Sequence, residues 1–203
     1  MGSKQLAPEA WRTGASVVGV QHPTVAQPGD GSSRSGLAPP PAGTAENVVG
    51  LVYISGFAPD KGENLTDLQS KYPAPAIIPY IVEHELPDGA KEFTLAPEGF
   101  HDTFCADIPA DDAAFYAISQ RPLAGVALTE AAGTPAWRSR PVWGVLGTAD
   151  RCIDPGVHRF SYERMGAKVT EIEGASHVVM VSHPKEVAEV VMTAVHAAAM
   201  QPA

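Results

Sequence analysis

One stretch limits the possible folds of this chain more than any other: NVVGLVYISGF, residues 47–57, continuous, apolar and rich in β-branched side chains. A strand with one wet face alternates apolar and polar residues. A strand covered on both faces does not, and that is the condition at the centre of a parallel sheet. RPVWGVLGT (140–148) and AKVTEIEG (167–174) have the composition of further strands, and ASVVGV (15–20) of a shorter one. Between the two later runs, DPGVHRFSYERMG (154–166) reads as a helix, with Asp154 as cap, Pro155 in the first turn and Gly166 at the stop. HPKEVAEVVMTAVHAAA (183–199) follows as an amphipathic helix with Val187, Val190, Val191 and Val195 on one face. Strand, helix, strand, helix in that order predicts an α/β fold: a parallel sheet flanked by helices.

Two segments interrupt the alternation. Residues 24–44, TVAQPGDGSSRSGLAPPPAGT, are a Pro/Gly/Ser-rich tract with the composition of a loop or linker. Residues 58–139 carry short helical patterns broken by prolines, among them NLTDLQSKY, PEGFHDTFCADI and PADDAAFYAISQ. This predicts a helical cap inserted over the carboxyl ends of the strands, where open α/β sheets bind ligands, within one domain spanning 1–203.

Composition removes several function classes. A formal charge of −9 and a pI near 5.2 oppose nucleic acid or an anionic membrane as partner, since both require clustered Lys and Arg. No apolar stretch reaches the roughly 20 residues of a membrane span, and the first residues lack a signal-peptide core, so a cytoplasmic location is expected. Cys105 and Cys152 form neither a disulfide framework nor a zinc spacing. VEHE (82–85) and FHD (100–102) hold possible ligands without a recurring spacing, so no metal and no cofactor are expected.

Side chains just past the ends of parallel strands converge on one edge. Asp150 follows the run at 140–148, and His177 stands in EGASHVVM after the run at 167–174. A carboxylate on an imidazole fixes its tautomer and stabilises the imidazolium that forms in proton transfer. Each residue also has a plainer reading, Asp150 as a turn former or cap and His177 as a structural loop histidine. Asp154 is the rival acid, and His183 reads as a polar residue at a helix start.

Four separated blocks tie the pair to a family: VVGLVYISGFAPDKGE, FTLAPEGFHDTFCADIPADDAAFYAISQRPL, GTADRCI and GASHVVMVSHP. Over about residues 46–198 the chain resembles small bacterial α/β-hydrolases, esterase-like proteins related to the plant salicylate-ester esterase and hydroxynitrile lyase group. The resemblance implies Asp150 as triad acid, His177 as general base, and a nucleophile earlier in the chain. The N-terminal quarter departs from that pattern. The family's first strand, ending in HG, and its G-x-S-x-G elbow have no clear counterpart, and VVGVQHP runs straight into the Pro/Gly/Ser tract. Counting back without gaps sets GSSRSG (31–36) on the elbow, with Ser33 at the serine position. Ser35 replaces a glycine of the turn, and Pro39 to Pro41 stand where a helix should begin. Ser55 and Ser176 fit the position less well.

The reading is therefore a hydrolase of small carboxylic esters, using Ser33, His177 and Asp150 on a small-molecule substrate. Its alternative is an impaired relative that keeps fold and pocket without a working nucleophile, and a third is a lyase-type relative using the same pocket. Phe100, Phe104, Phe115 and Tyr116, with Tyr72 and Tyr80, are the candidate substrate-lining aromatics. The sequence sets no oligomeric state.

Overall fold

A computed structural model describes residues 16–20, 43 and 47–199 of the chain. The elements run β1 (Ser16–Val20), β2 (Val48–Ile54), α1 (Leu65–Gln69), β3 (Ile81–Glu85), β4 (Lys91–Leu95), α2 (Pro97–Phe104), α3 (Ala110–Ser119), β5 (Leu123–Ala124), α4 (Val126–Thr129), β6 (Val142–Gly147), α5 (Pro155–Arg164), β7 (Lys168–Ile172), α6 (Val179–Ser182) and α7 (Pro184–Ala199). Four strands form a parallel sheet in the order β1-β2-β6-β7.

The continuous apolar runs have the predicted cause. Every residue of β6 is buried, and β2 is buried or nearly so along its length. Because successive side chains point to opposite faces, each strand feeds two cores. Val52, Trp143 and Val145 face α7, where Val187, Val190 and Ala194 cover them. Leu51, Tyr53, Val142 and Leu146 face the other way, onto Tyr162 and Met165 beside α5. β7 edges the described part of the sheet, and its sequence is accordingly more polar: Lys168 lies exposed over the Trp143 ring.

The boundaries of α5 follow from local chemistry. Asp154 accepts from the Gly156 N–H at 2.7 Å, Pro155 opens the first turn, and Gly166 beyond the end takes φ +65°. Tyr162 anchors the inner face: its hydroxyl accepts from the Gly56 N–H and donates to the Gly56 carbonyl, both at 3.1 Å. That ties α5 to the turn at the end of β2.

The segment between β2 and β6 corrects an expectation. The predicted helices are present as α1, α2 and α3, but a three-stranded antiparallel sheet, β3-β4-β5, lies among them. The insertion is therefore mixed rather than helical. The turn was legible in LPDGA, where Gly89 takes φ +80° and Leu86 bonds Ala90 across the hairpin. The strands were not, because they are short and at most half-buried, and β3 is charged and wet. All five residues of β3 are exposed, held by cross-strand pairs such as Lys91–Glu83 and His84–Thr94 rather than by a core.

Among the described residues, no helix is long and apolar enough to cross a membrane.

Candidate active site

The loops that leave β6 and β7 are bonded to each other before any side chain is considered. Thr148 N–H donates to the Ile172 carbonyl and Ala149 N–H to that of Ala175, both at 3.0 Å, while Thr148 Oγ1 accepts from Gly174 N–H at 2.8 Å. Gly147 permits this approach. A Cβ there would fall against the carbonyl oxygens of Ala175 and Ser176, so the loops could not close on any larger residue.

The closure brings Asp150 and His177 together. His177 Nδ1 donates to Asp150 Oδ2 at 2.8 Å, with both side chains buried. Asp150 Oδ1 accepts from the N–H groups of Cys152 at 2.8 Å and Ile153 at 2.9 Å. A fourth donor completes the carboxylate: His158 Nε2, on α5, lies 3.3 Å from Oδ2. Burial alone would push the Asp150 carboxyl up. The two imidazoles, through charge and hydrogen bonds, outweigh it and hold the group far below the ordinary carboxylate range. Asp154 is the cap of α5 and takes no part in the pair.

The histidine loop is also fastened to the insertion. Asp107, between α2 and α3, accepts from the Ser176 N–H at 2.9 Å and from the Ser176 hydroxyl. His183 Nδ1 bonds the Ser182 hydroxyl at 2.9 Å and lies 3.8 Å from the same carboxylate. His183 thus stands between two helices: its N–H closes α6 on the Val179 carbonyl, and its own carbonyl accepts from Val187 N–H at 3.2 Å at the start of α7, the helix-start place its sequence suggested. On the other side of His177, the Phe104 ring packs at 4.9 Å between centroids.

His177 forms part of the wall of a cavity of about 1110 Å³, just above the usual range for a small-molecule site. Phe57, Ile77, Phe93, Phe104 and Leu123 contribute much of its apolar lining. Of the aromatics expected there, Phe100, Phe104, Tyr72 and Tyr116 line the cavity. Phe115 does not. On α3 the buried positions are Ala113 and Ala117, which turns Phe115 outward to 62% exposure. Tyr80 is likewise absent from the wall and covers Gly99 of α2 instead.

Ser33 lies outside the described residues, as do the GSSRSG segment and the 24–44 tract apart from Gly43. Ser55, just past β2, is buried with φ +45°, the one non-glycine residue with positive φ among those described. Its hydroxyl has no hydrogen-bond partner among the described residues. His84 and His101, in the two segments considered for metal, bond Thr94 and the Ile108 carbonyl. Among the described residues, the group whose donor atoms cluster tightly enough for an ion is Asp150, His158 and His177, within 4.8 Å. These three are joined by hydrogen bonds.

Sequence reading missed His158 and Asp107. His158 had a faint signal: Val157, His158, Ser161 and Tyr162 make one buried stripe of α5, and a histidine there needs a buried partner. Nothing local marked Asp107, whose partner is 69 residues away.

Comparison with known proteins agrees with this architecture. No curated protein gives a significant sequence match. Among solved structures, polyneuridine aldehyde esterase superposes with a TM-score of 0.61 at 21% identity, over 73% of this chain and 62% of that one. A pyrethroid hydrolase from Sphingobium faniae gives 0.55 at 17%, over 76% and 63%. Tomato methylketone synthase I, in complex with 2-tridecanone, gives 0.57 at 18%, over 74% and 62%. The chain thus spans a little over three fifths of the length of these structures, and at such identities the likeness is one of fold. The sequence model of the alpha/beta hydrolase family matches residues 14–190. With a parallel sheet whose last two loops bring an aspartate onto a histidine, and a family match over most of its length, the chain belongs to the α/β-hydrolase family.

Proposed function

We propose that this protein hydrolyses carboxylic esters with a substantial apolar part, by a Ser-His-Asp mechanism. The observation that carries the reading is the buried Asp150–His177 hydrogen bond in the wall of a large apolar cavity. With Nδ1–H committed to the carboxylate, Nε2 is the basic nitrogen of His177. It takes the proton from a serine hydroxyl as that oxygen attacks the ester carbonyl. The tetrahedral intermediate collapses, its leaving alkoxide receives the proton from His177, and an acyl-serine remains. Water, deprotonated by the same nitrogen, then releases the acid and restores the serine. Asp150 stays ionised throughout and stabilises the imidazolium.

Ser33 is the serine assigned to this role, from its place in GSSRSG. The insertion acts as a cap that gives the ester its apolar surroundings. Release of p-nitrophenol from p-nitrophenyl butyrate, with mass-spectrometric mapping after a fluorophosphonate, tests the scheme. The expected result is turnover, one label at Ser33, and loss of both in Ser33→Ala. His177→Ala should lower kcat by at least about 10³-fold without changing the fold. A label on another serine removes Ser33 from the mechanism. A folded chain that neither labels nor turns over replaces the reading with that of an impaired relative.

A further inference from the structure

His158 is a fully buried histidine on the inner stripe of α5, and the scheme above makes no use of it. Its position is not explained by packing alone. An imidazole in an apolar layer requires a partner for at least one nitrogen, and an apolar side chain would fill the site without that demand. The partner is the very oxygen that receives His177: Asp150 Oδ2, at 3.3 Å from His158 Nε2 and 2.8 Å from His177 Nδ1. Asp150 is ionised, so both nitrogens must carry their hydrogens toward it. No partner faces the Nδ1 of His158 among the described residues.

We propose that His158 is a positioning residue of the catalytic pair, setting the plane of the Asp150 carboxylate. The inference rests on the functional reading above for its catalytic meaning, but its geometry is independent of it. Oδ1 is fixed by two backbone N–H groups, which pin one end of the carboxylate to the loop after β6. Oδ2 has only side chains as donors, and with His177 alone it would follow every movement of the histidine loop. His158 comes from a different element, held in place by the Tyr162 hydroxyl on Gly56 and by ring contact with Tyr162 at 5.6 Å. It gives Oδ2 a fixed reference that does not depend on His177. The two lengths decide the division of labour: the short bond belongs to His177, and the long one steadies the acceptor without displacing it.

The test compares His158→Met, which fills the site without a donor, with His158→Gln, whose amide N–H reaches toward Oδ2. If His158→Met does not fold, His158→Asn, polar but too short to reach, takes its place. The readout is the proton spectrum of the full chain labelled with ¹⁵N-imidazole. A downfield His177 Nδ1–H resonance is expected in the unmodified chain and in His158→Gln, and a weakened, upfield-shifted one in His158→Met. On p-nitrophenyl butyrate, kcat should fall about ten- to a hundredfold in His158→Met with KM unchanged, and recover most of that loss in His158→Gln. An unaltered His177 resonance in folded His158→Met overturns the proposal, and so does equal loss in the Gln variant, which would mean packing alone. An inert unmodified chain with the expected spectra removes the esterase reading and leaves the role of His158 standing.

Discussion

Asp150 receives four donors from three elements, and its neighbours record the consequences. Cys152 gives its backbone N–H to that carboxylate, and its side chain is buried at the base of the cavity wall. Burial first, then the nearby negative charge, pushes the thiol well above its ordinary value. Cys105, also enclosed, is pushed up to about 11 by the same two causes, with Asp107 as the charge. Thiolate is the reactive form, so neither cysteine should react with iodoacetamide in the folded chain at pH 8, whereas both should in urea. Mass spectrometry checks this, and rapid modification of Cys152 in native protein would contradict the burial. The Asp150–His177 pair was legible because each residue follows an apolar run, and parallel strands bring such positions to one edge. His158 was not, because its meaning depends on how α5 packs back against the loop that precedes it. Ser33 rests on a resemblance alone, and it lies outside the described residues.

At the scale of elements, β6 shows how closely α5 is fitted. A Cβ at Gly144 would fall on the ring of Tyr162, too near for van der Waals contact. Tyr162 cannot retreat, because its hydroxyl both donates to and accepts from Gly56. Gly144→Ala should therefore destabilise the chain by about 1–3 kcal/mol, measured as a lower urea midpoint at unchanged slope. No loss would mean that α5 is loosely seated, and the placing of His158 would be weakened with it. The core elements could be read from sequence because their apolar runs are long and their caps conventional, as at Asp154 and Gly166. β3 and β4 could not. Residues such as Glu83, His84 and Lys91 carry no core signal, and their pairing is decided by a turn and by cross-strand contacts rather than by burial.

For the whole molecule the titration of the acids has a definite sign. Asp150 is depressed in the folded state against burial, by its imidazole partners. Glu63 is depressed as well, chiefly by Arg164, which bonds both its oxygens at 2.9 Å, and its part burial opposes this only in part. An unfolded carboxyl titrates near pH 4, so the stability these groups contribute is fully present above about pH 5. It is lost as pH falls below about 4, through the lower folded values. Urea midpoints should hold steady from pH 7 to 5 and then drop, and Asp150→Asn should flatten the drop. A midpoint that rises on acidification would contradict the sign.

Asp107 carries a consequence for how a protein of this kind can change. The insertion supplies most of the cavity wall, and its place between β2 and β6 makes it the segment that most directly shapes that cavity. Yet one of its carboxylates holds the backbone and hydroxyl of Ser176, next to the imidazole. A transplanted insertion without that carboxylate would reshape the cavity and loosen the His177 loop in the same step. Diversification here is a joint change in the shape of the cavity and in the hold on the imidazole. Lineages that swap this segment should keep an acceptor at the height of Ser176, whatever else they discard.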